Sequence, residues 1–460
     1  MPSVSRTGSP DLVIVSNRGP VSFREDGGEL VAQRGAGGLI STLGPAAAEH
    51  NALWIAAAMT DADRRATAGG VLDAEGFRLR LLDIDPATYE AFYDDVANAT
   101  LWYLHHGLFD LPRQPRFDRR WWQAWAAYQQ VNAAFADAVA ADAPTNAIVL
   151  VQDYHLTLLG GHLAKARPDL QTVHFHHTPF CHPADLRLLP DSVAVTLLDG
   201  LSGHTTCGFH SGRWAARFEA CREEYGIETP IRTFVAPAAA DHDDVAKVAA
   251  SEDAARELAD LESQVGERRL IVRVDRIELS KNLIRGFEAY DELLGRYPEW
   301  RERVVFGAFV YPSREGLADY QVYREECEAL VEAINARWAT DSWTPILLDT
   351  ADVFPRSVPA LKRFDVLLVN PICDGLNLVA KEGAAVNERD GVVVLSREAG
   401  AWDELGDASV SINPFDVSGT ADALHQALTM PAALAYHAGR VNWVLLMTGA
   451  AMLFVTAEDS

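Results

Sequence analysis

The chain has 460 residues, 48% of them hydrophobic and 23% charged, a globular balance that excludes a disordered chain or a coiled-coil rod. Its length exceeds one core and predicts two or three domains. Forty Lys and Arg against 65 Asp and Glu leave a net charge of −25, which repels a polyphosphate strand and an anionic membrane surface and excludes nucleic acid as a partner, but not a small phosphorylated ligand.

From the N-terminus, Met1–Pro10 is a polar tail without an apolar signal core, and a cytoplasmic protein is expected. Five scattered cysteines, Cys181, Cys207, Cys221, Cys327 and Cys373, form no C-x-x-C pair and fit reduced thiols. The first apolar run, Leu12–Val15, predicts a strand with Arg18 just past its end. Gly35-Ala36-Gly37-Gly38 follows and offers open backbone amides to a phosphate or sugar, or forms a flexible loop. Asp83-Ile84-Asp85 reads as a turn because Pro86 follows. Strands are predicted at Ala147–Val151, with Asp153 beyond, and at Val173–Phe175, with His177 beyond. Alternation splits His174, His176 and His177 between two faces, so no zinc site is expected.

A strand-like Thr233-Phe234-Val235 leads into the Ala- and acid-rich stretch 236–264, and the domain boundary is placed near Pro237. Further strands are predicted at Leu270–Val274, Val304–Phe309, Ile346–Leu348, Val366–Val369 and Val392–Leu395. Near-continuous apolar strands alternating with helices mean parallel sheets covered on both faces. The organisation expected is 1–237, 238–440 and a C-terminal helix 441–460 packing back on the first domain. The uncharged run Val441–Ala457 fits a buried helix better than a membrane span, since Asn442, Thr448 and Gly449 interrupt it.

In doubly wound sheets, ligands bind outside the carboxyl ends of the strands. That rule nominates Arg18, Asp153, His177, Arg276 and Asp374, which are expected to face one interdomain cleft. Arg276 and Lys281 stand five residues apart on a strand-to-helix loop, as a diphosphate site or as a solvated loop would have them. Asp374-Gly375-Leu376-Asn377-Leu378-Val379-Ala380-Lys381-Glu382 is more specific. An acid and a glycine at a strand end open a helix whose free amides suit a diphosphate, with the Glu382 carboxylate placed for ribose hydroxyls.

Eight signatures in order carry a resemblance: Ser16-Asn17-Arg18, Gly37-Gly38-Leu39, Tyr93 with Asn98 and Leu101-Trp102, Asp153-Tyr154-His155, His177-Thr178-Pro179-Phe180, Arg276 to Lys281, Ser313-Arg314, and Asp374 to Glu382. Over about Asp11–Met430 the chain resembles the trehalose-6-phosphate synthase family. The resemblance implies a retaining glycosyltransferase of GT-B architecture, α/β, with two facing Rossmann-like doubly wound domains. It implies small-molecule substrates, a nucleoside-diphosphate glucose and glucose 6-phosphate, with no cofactor and no obligatory metal, and leaves homo-oligomerisation open.

Position by position, the resemblance assigns the donor diphosphate to Arg276, Lys281, Gly38 and the backbone of Leu376, Asn377, Leu378 and Val379, and the ribose to Glu382. Asp374 and His177 would hold the transferred glucose. Arg18 and Arg314 would grip the acceptor phosphate, with Tyr93, Trp102 and Asp153 around the acceptor sugar. Two departures bear on the substrates. Where family members often carry a second Trp shortly after the one matching Trp54, this chain reads Ile55-Ala56-Ala57-Ala58. Asn282 follows Lys281 where UDP-glucose-using members commonly have Gly; the related pseudoglycosyltransferase of validamycin synthesis shares the Lys-Asn pair and uses a GDP donor. GDP-glucose is therefore expected over UDP-glucose, with Asn282, Phe309 and Arg356 toward the base. The alternatives are a pseudoglycosyltransferase joining a cyclitol to an aminocyclitol phosphate and a catalytically silent sugar-phosphate sensor.

Overall fold

The computed structural model describes residues 11–35, 38–240, 242–314, 316–351 and 354–430. Gly37, the tail 1–10 and the expected C-terminal helix 441–460 lie outside the described residues. The chain divides into two compact units, 1–235 and 236–460.

The N-terminal unit is built on strands β1 (Leu12–Val15), β2 (Val21–Asp26), β3 (Glu29–Arg34), β4 (Leu53–Ala57), β5 (Leu72–Ala74), β6 (Phe77–Leu82), β7 (Ile148–Gln152), β8 (Gln171–His176), β9 (Thr206–Phe209) and β10 (Arg232–Val235). Eight of them form one sheet in the order β10-β9-β8-β7-β1-β4-β6-β5. All pairings are parallel except that of the edge strand β5 with β6. The central strands are apolar along their whole length because both faces are covered: Val13, Ile14, Val15 and Trp54 are fully buried. β2 and β3 form a separate antiparallel hairpin closed at Gly27 and Gly28, whose φ of 60° and 91° suit a tight turn.

The C-terminal unit carries β11 (Arg269–Ile277), β12 (Val304–Pro312), β13 (Ile346–Asp349), β14 (Val366–Val369), β15 (Val392–Ser396) and β16 (Val410–Ile412), all parallel, in the order β13-β12-β11-β14-β15-β16. This is the doubly wound dinucleotide-fold order, and its direction of winding reverses between β11 and β14. In the N-terminal sheet the reversal falls between β1 and β7. Each reversal opens a crevice at the carboxyl ends of its two strands, which is where ligands enter such sheets.

Beneath the C-terminal crevice sits a fully buried cation. Arg273 on β11 is 0% exposed and bonds Asp275 Oδ2 through Nε and Nη2, at 3.2 and 2.9 Å, and the Lys281 carbonyl through Nη2 at 2.8 Å. The helix Leu283–Arg296 crosses it at Gly286, where a Cβ would stand 2.5 Å from Arg273 Nη1. Among the described residues no helix is long and apolar enough to cross a membrane, and no group of three or more His, Cys, Asp or Glu could hold a metal ion.

Candidate active site

At the N-terminal switch point the turn after β1 is fixed from below. The Ser16 hydroxyl donates to the Arg18 carbonyl at 2.6 Å and accepts from Trp54 Nε1 at 2.8 Å, while Asn17 Oδ1 accepts from the Tyr89 hydroxyl at 3.0 Å. Arg18 is left exposed, with Nη2 3.3 Å from the Tyr93 hydroxyl and its guanidinium 5.7 Å from the ring centroid. Tyr93 stacks between Tyr89 and His155, each at 5.7 Å. It is carried by a π-type helix, Ala91–Trp102, a wide-turn geometry that is rare overall and frequent at functional sites. Trp102, expected beside the acceptor sugar, ends that helix 2% exposed and packs on Tyr103 and His106, which leaves it little surface for a ligand.

Asp153 follows β7 with φ 67° and ψ 172°. That backbone turns the carboxylate back to accept the His177 N–H at 3.1 Å. Burial pushes the Asp153 carboxyl up, and His177 and the surrounding backbone N–H groups oppose the shift without cancelling it. The next residues are pinned by a helix that sequence reasoning passed over, Arg119–Asp142. Tyr128 donates to the Tyr154 carbonyl at 2.7 Å, and Asn132 donates to the His155 carbonyl at 3.1 Å and accepts the Leu158 N–H at 3.1 Å. An asparagine among the inward positions Ala124, Trp125, Tyr128, Val131 and Phe135 was the available signal.

His177 places Nε2 2.8 Å from Gln152 Oε1 and Nδ1 3.1 Å from His210 Nε2. Burial holds the imidazole below its ordinary pKa. A neutral ring that donates to Gln152 accepts from His210, so both nitrogens are already engaged within the unit. The expected grip of this ring on a sugar therefore requires the release of one of these bonds. On the opposite face of β8, His174 and His176 pack with His105 and His204 at ring separations of 4.6–5.8 Å.

At the C-terminal switch point, four cations and three carboxylates are interleaved. Lys281 Nζ donates to Asp374 Oδ2 at 2.6 Å and stands 3.9 Å from Asp275 Oδ1. Burial alone would lower the lysine pKa, and the two carboxylates reverse that, so it stays charged. Arg276 and Arg314 both meet Glu278, at 3.2 and 2.9 Å. With Arg273, the group carries one net positive charge in an acidic chain, which suits an anion. Glu278 was not singled out in the sequence, since an acid between two cations reads there as surface.

Asp374 also orders the loop that opens the helix Leu378–Val386. Its Oδ1 accepts the Leu376 N–H at 3.3 Å and its Oδ2 accepts Asn377 Nδ2 at 3.2 Å. Asn377, at φ 73°, caps the helix by accepting the Ala380 N–H at 3.3 Å. Of the backbone expected to serve a diphosphate, the Leu376 amide is thus already engaged. The first-turn amides of Leu378 and Val379 carry no partner among the described residues. Glu382 is half-buried, and burial pushes it up to about 7.

Two further residues differ from expectation. Asn282 was assigned to the base of the donor, but it is 2% exposed with φ 60°. Its Nδ2 donates to the carbonyls of Asn370 and Pro414, at 3.0 and 2.7 Å, and its Oδ1 accepts from Arg285 at 2.9 Å. The amide serves the loop, and the position needs Gly or Asn because φ is positive. Arg356 pairs with Glu257 at 3.1 Å and Asp349 at 2.9 Å, so its charge is neutralised on its own helix and strand neighbours. Phe309 is half-buried on β12 opposite Asp349 of β13, and Gly38 is the first residue of the helix Gly38–Glu49.

A family model described as Glycosyltransferase family 20 matches residues 10–440. The bifunctional trehalose-6-phosphate synthase/phosphatase of Thermoproteus tenax is 31% identical over 447 residues, which are 91% of this chain and 59% of that protein, so the chain spans less than two thirds of its length. The α,α-trehalose-phosphate synthase [UDP-forming] of Schizosaccharomyces pombe is 30% identical over 442 residues, 91% of this chain and 84% of that one. Among solved structures, an α,α-trehalose-phosphate synthase (UDP-forming) from Burkholderia vietnamiensis matches with a TM-score of 0.85 and 30% identity, covering 96% of each chain. With the family match running through both switch-point sites, the chain belongs to glycosyltransferase family 20.

Proposed function

We propose that the chain is a retaining glycosyltransferase that moves glucose from a nucleoside-diphosphate glucose to glucose 6-phosphate, giving α,α-trehalose 6-phosphate in the cytoplasm. The observation that carries the reading is the C-terminal switch point, where Lys281 pairs with Asp374, Arg276 is held by Glu278 on the same strand-end loop, and the loop ordered by Asp374 opens a helix with free amides at Leu378 and Val379. The donor diphosphate is assigned to Arg276, Lys281, those two amides and Gly38, and the ribose to Glu382. The transferred glucose is assigned to Asp374 and His177. Arg18, Tyr93, Asp153 and Arg314 are assigned to the acceptor. As the glycosidic C–O bond breaks, charge grows on the leaving diphosphate, so fixed cations there stabilise the transition state more than the bound substrate. The leaving phosphate oxygen then takes the proton of the incoming hydroxyl on the same face of the sugar.

The finer reading is a GDP-glucose preference over UDP-glucose of at least ~10-fold in kcat/KM. With Asn282 engaged elsewhere, that preference rests on the segments 309–311 and 354–356, while relatives named above are UDP-forming. The test is a panel of UDP-, GDP- and ADP-glucose with glucose 6-phosphate or glucose, read by product mass, with and without EDTA. Disaccharide phosphate formed from the phosphorylated acceptor alone, with activity mostly retained in EDTA, is the expected result. Equal use of free glucose would overturn the arginine assignments, full metal dependence the assignment of diphosphate charge to Arg276 and Lys281, and a UDP-glucose preference the donor base.

A further inference from the structure

We propose that Glu278 is a positioning residue that holds Arg276 and Arg314 on one carboxylate oxygen and so couples the binding of the two phosphorylated substrates. The inference deepens the reading above and rests on its assignment of Arg276 to the donor and Arg314 to the acceptor. Glu278 is 1% exposed, and its Oε1 lies 3.2 Å from Arg276 Nη1, 2.9 Å from Arg314 Nη1 and 3.0 Å from the Ser313 hydroxyl. Its backbone is pinned on both sides, the N–H donating to the Arg276 carbonyl at 2.8 Å and the carbonyl accepting from the Lys281 N–H at 3.0 Å. Burial works against the anion, but Arg276, Arg314, Lys281 and Ser313 outweigh it and hold the carboxyl down to about 2.

A desolvated, permanently charged acceptor orients guanidinium groups more firmly than a surface acid does. Both arginines are therefore aimed before a ligand arrives, and less side-chain freedom is lost on binding. Arg314 sits at φ 47°, a backbone region unfavourable for arginine, and its bonds to Glu278 and the Tyr320 hydroxyl offset that cost. Because three donors share one oxygen, a phosphate that draws Arg276 away strengthens the hold on the other two. The two ligands are thus linked through contiguous atoms rather than through a change of shape.

The test is calorimetric titration of the full chain with GDP or UDP, with glucose 6-phosphate, and with each in the presence of the other. It compares wild type with Glu278→Gln and Glu278→Asp. Glu278→Gln should weaken both ligands ~10-fold and abolish their mutual effect, while Glu278→Asp, with the charge kept and drawn back one methylene, should fall between. A merely structural role would lower Tm and the fraction of competent sites and leave Kd unchanged. A Gln variant that binds both ligands as wild type does, or loses only one, overturns the coupling. Should Glu278→Gln not fold, Glu278→Asp must weaken both ligands for the proposal to stand. Wild-type protein that binds neither ligand overturns the functional reading itself, a distinct outcome from a wild type that binds both beside an unaffected variant.

Discussion

Asp153 holds φ 67° and ψ 172°, a region natural to glycine and costing other residues about 1–3 kcal/mol. The strain accompanies a use, since in this conformation the carboxylate accepts the His177 N–H at 3.1 Å. Asp153→Gly relieves the strain, a gain of about 1–3 kcal/mol, and loses one hydrogen bond and some chain stiffness, costs of about 1 kcal/mol each. The variant is therefore expected to melt near wild type, within about 1 kcal/mol, while turnover falls at least ~100-fold, as scanning calorimetry and steady-state rates can check. A large loss of Tm would show that the position is structural. Glu382 makes a pH prediction. With its pKa pushed up to about 7 by burial, it loses its charge as pH falls through neutrality, and in the ribose-binding role proposed above it would no longer accept the hydroxyls as an anion. The kcat/KM for the donor should drop on the acid side of an ionisation near 7, and Glu382→Gln should be slower but flat across that range.

At the level of elements, the loop between β11 and its following helix turns on Asn282. Asn282→Gly keeps the positive φ but loses three hydrogen bonds, about 2–3 kcal/mol, and Asn282→Ala adds the left-handed penalty of about 1–2 kcal/mol. Urea melts should rank wild type above Gly above Ala, with donor-base preference unchanged in the Gly variant. The same loop shows where sequence is legible. Leu12–Val15 and Val366–Val369 form strands over the residues their apolar runs predict, because a strand buried on both faces leaves no polar position to blur its ends. The hairpin 21–34 was passed over although Asp26-Gly27-Gly28-Glu29 is a turn signal, because most of its positions are polar or exposed and only Val21, Phe23 and Ala32 reach the core. Phe77–Leu82 was missed because it alternates buried Phe and Leu with Arg, whereas parallel strands were sought as continuous apolar runs. Arg276 and Asp374 were nominated by their places past predicted strand ends, whereas the five-residue spacing of Arg276 and Lys281 left a solvated loop open and only the family resemblance singled out that pair. Glu278, Arg273 and Asn132 were not legible, since what makes each matter is a partner brought close by packing.

Across the whole molecule, the two sheets solve one problem in the same way: each reverses its winding once, and each gathers its polar groups at that reversal. The N-terminal sheet adds a liability in acid. His174 and His204 bury both ring nitrogens without a partner and His176 buries one. Burial holds His105 and His204 down to about 3 and His174 and His176 well below their ordinary value. Once unfolded, each takes a proton near pH 6.5, so below that pH the unfolded chain binds more protons than the folded one. Stability should fall by about 1.4 kcal/mol per pH unit per histidine. Denaturant melts from pH 7.5 to 5 will show the slope, and His174→Phe should lessen it; a flat profile would refute the account. The buried guanidinium of Arg273 sets a rule for engineering. Replacing an exposed helical glycine with alanine commonly raises stability, by up to about 1 kcal/mol. In the helix Leu283–Arg296, Gly295→Ala meets nothing within 4 Å and should raise Tm, whereas Gly286→Ala meets Arg273 Nη1 at 2.5 Å. That collision displaces the group that holds the Lys281 carbonyl, so the second substitution should lower both Tm and turnover. A thermostabilisation campaign that ranks glycines by helix propensity alone would select the two together and lose the benefit of one to the damage of the other.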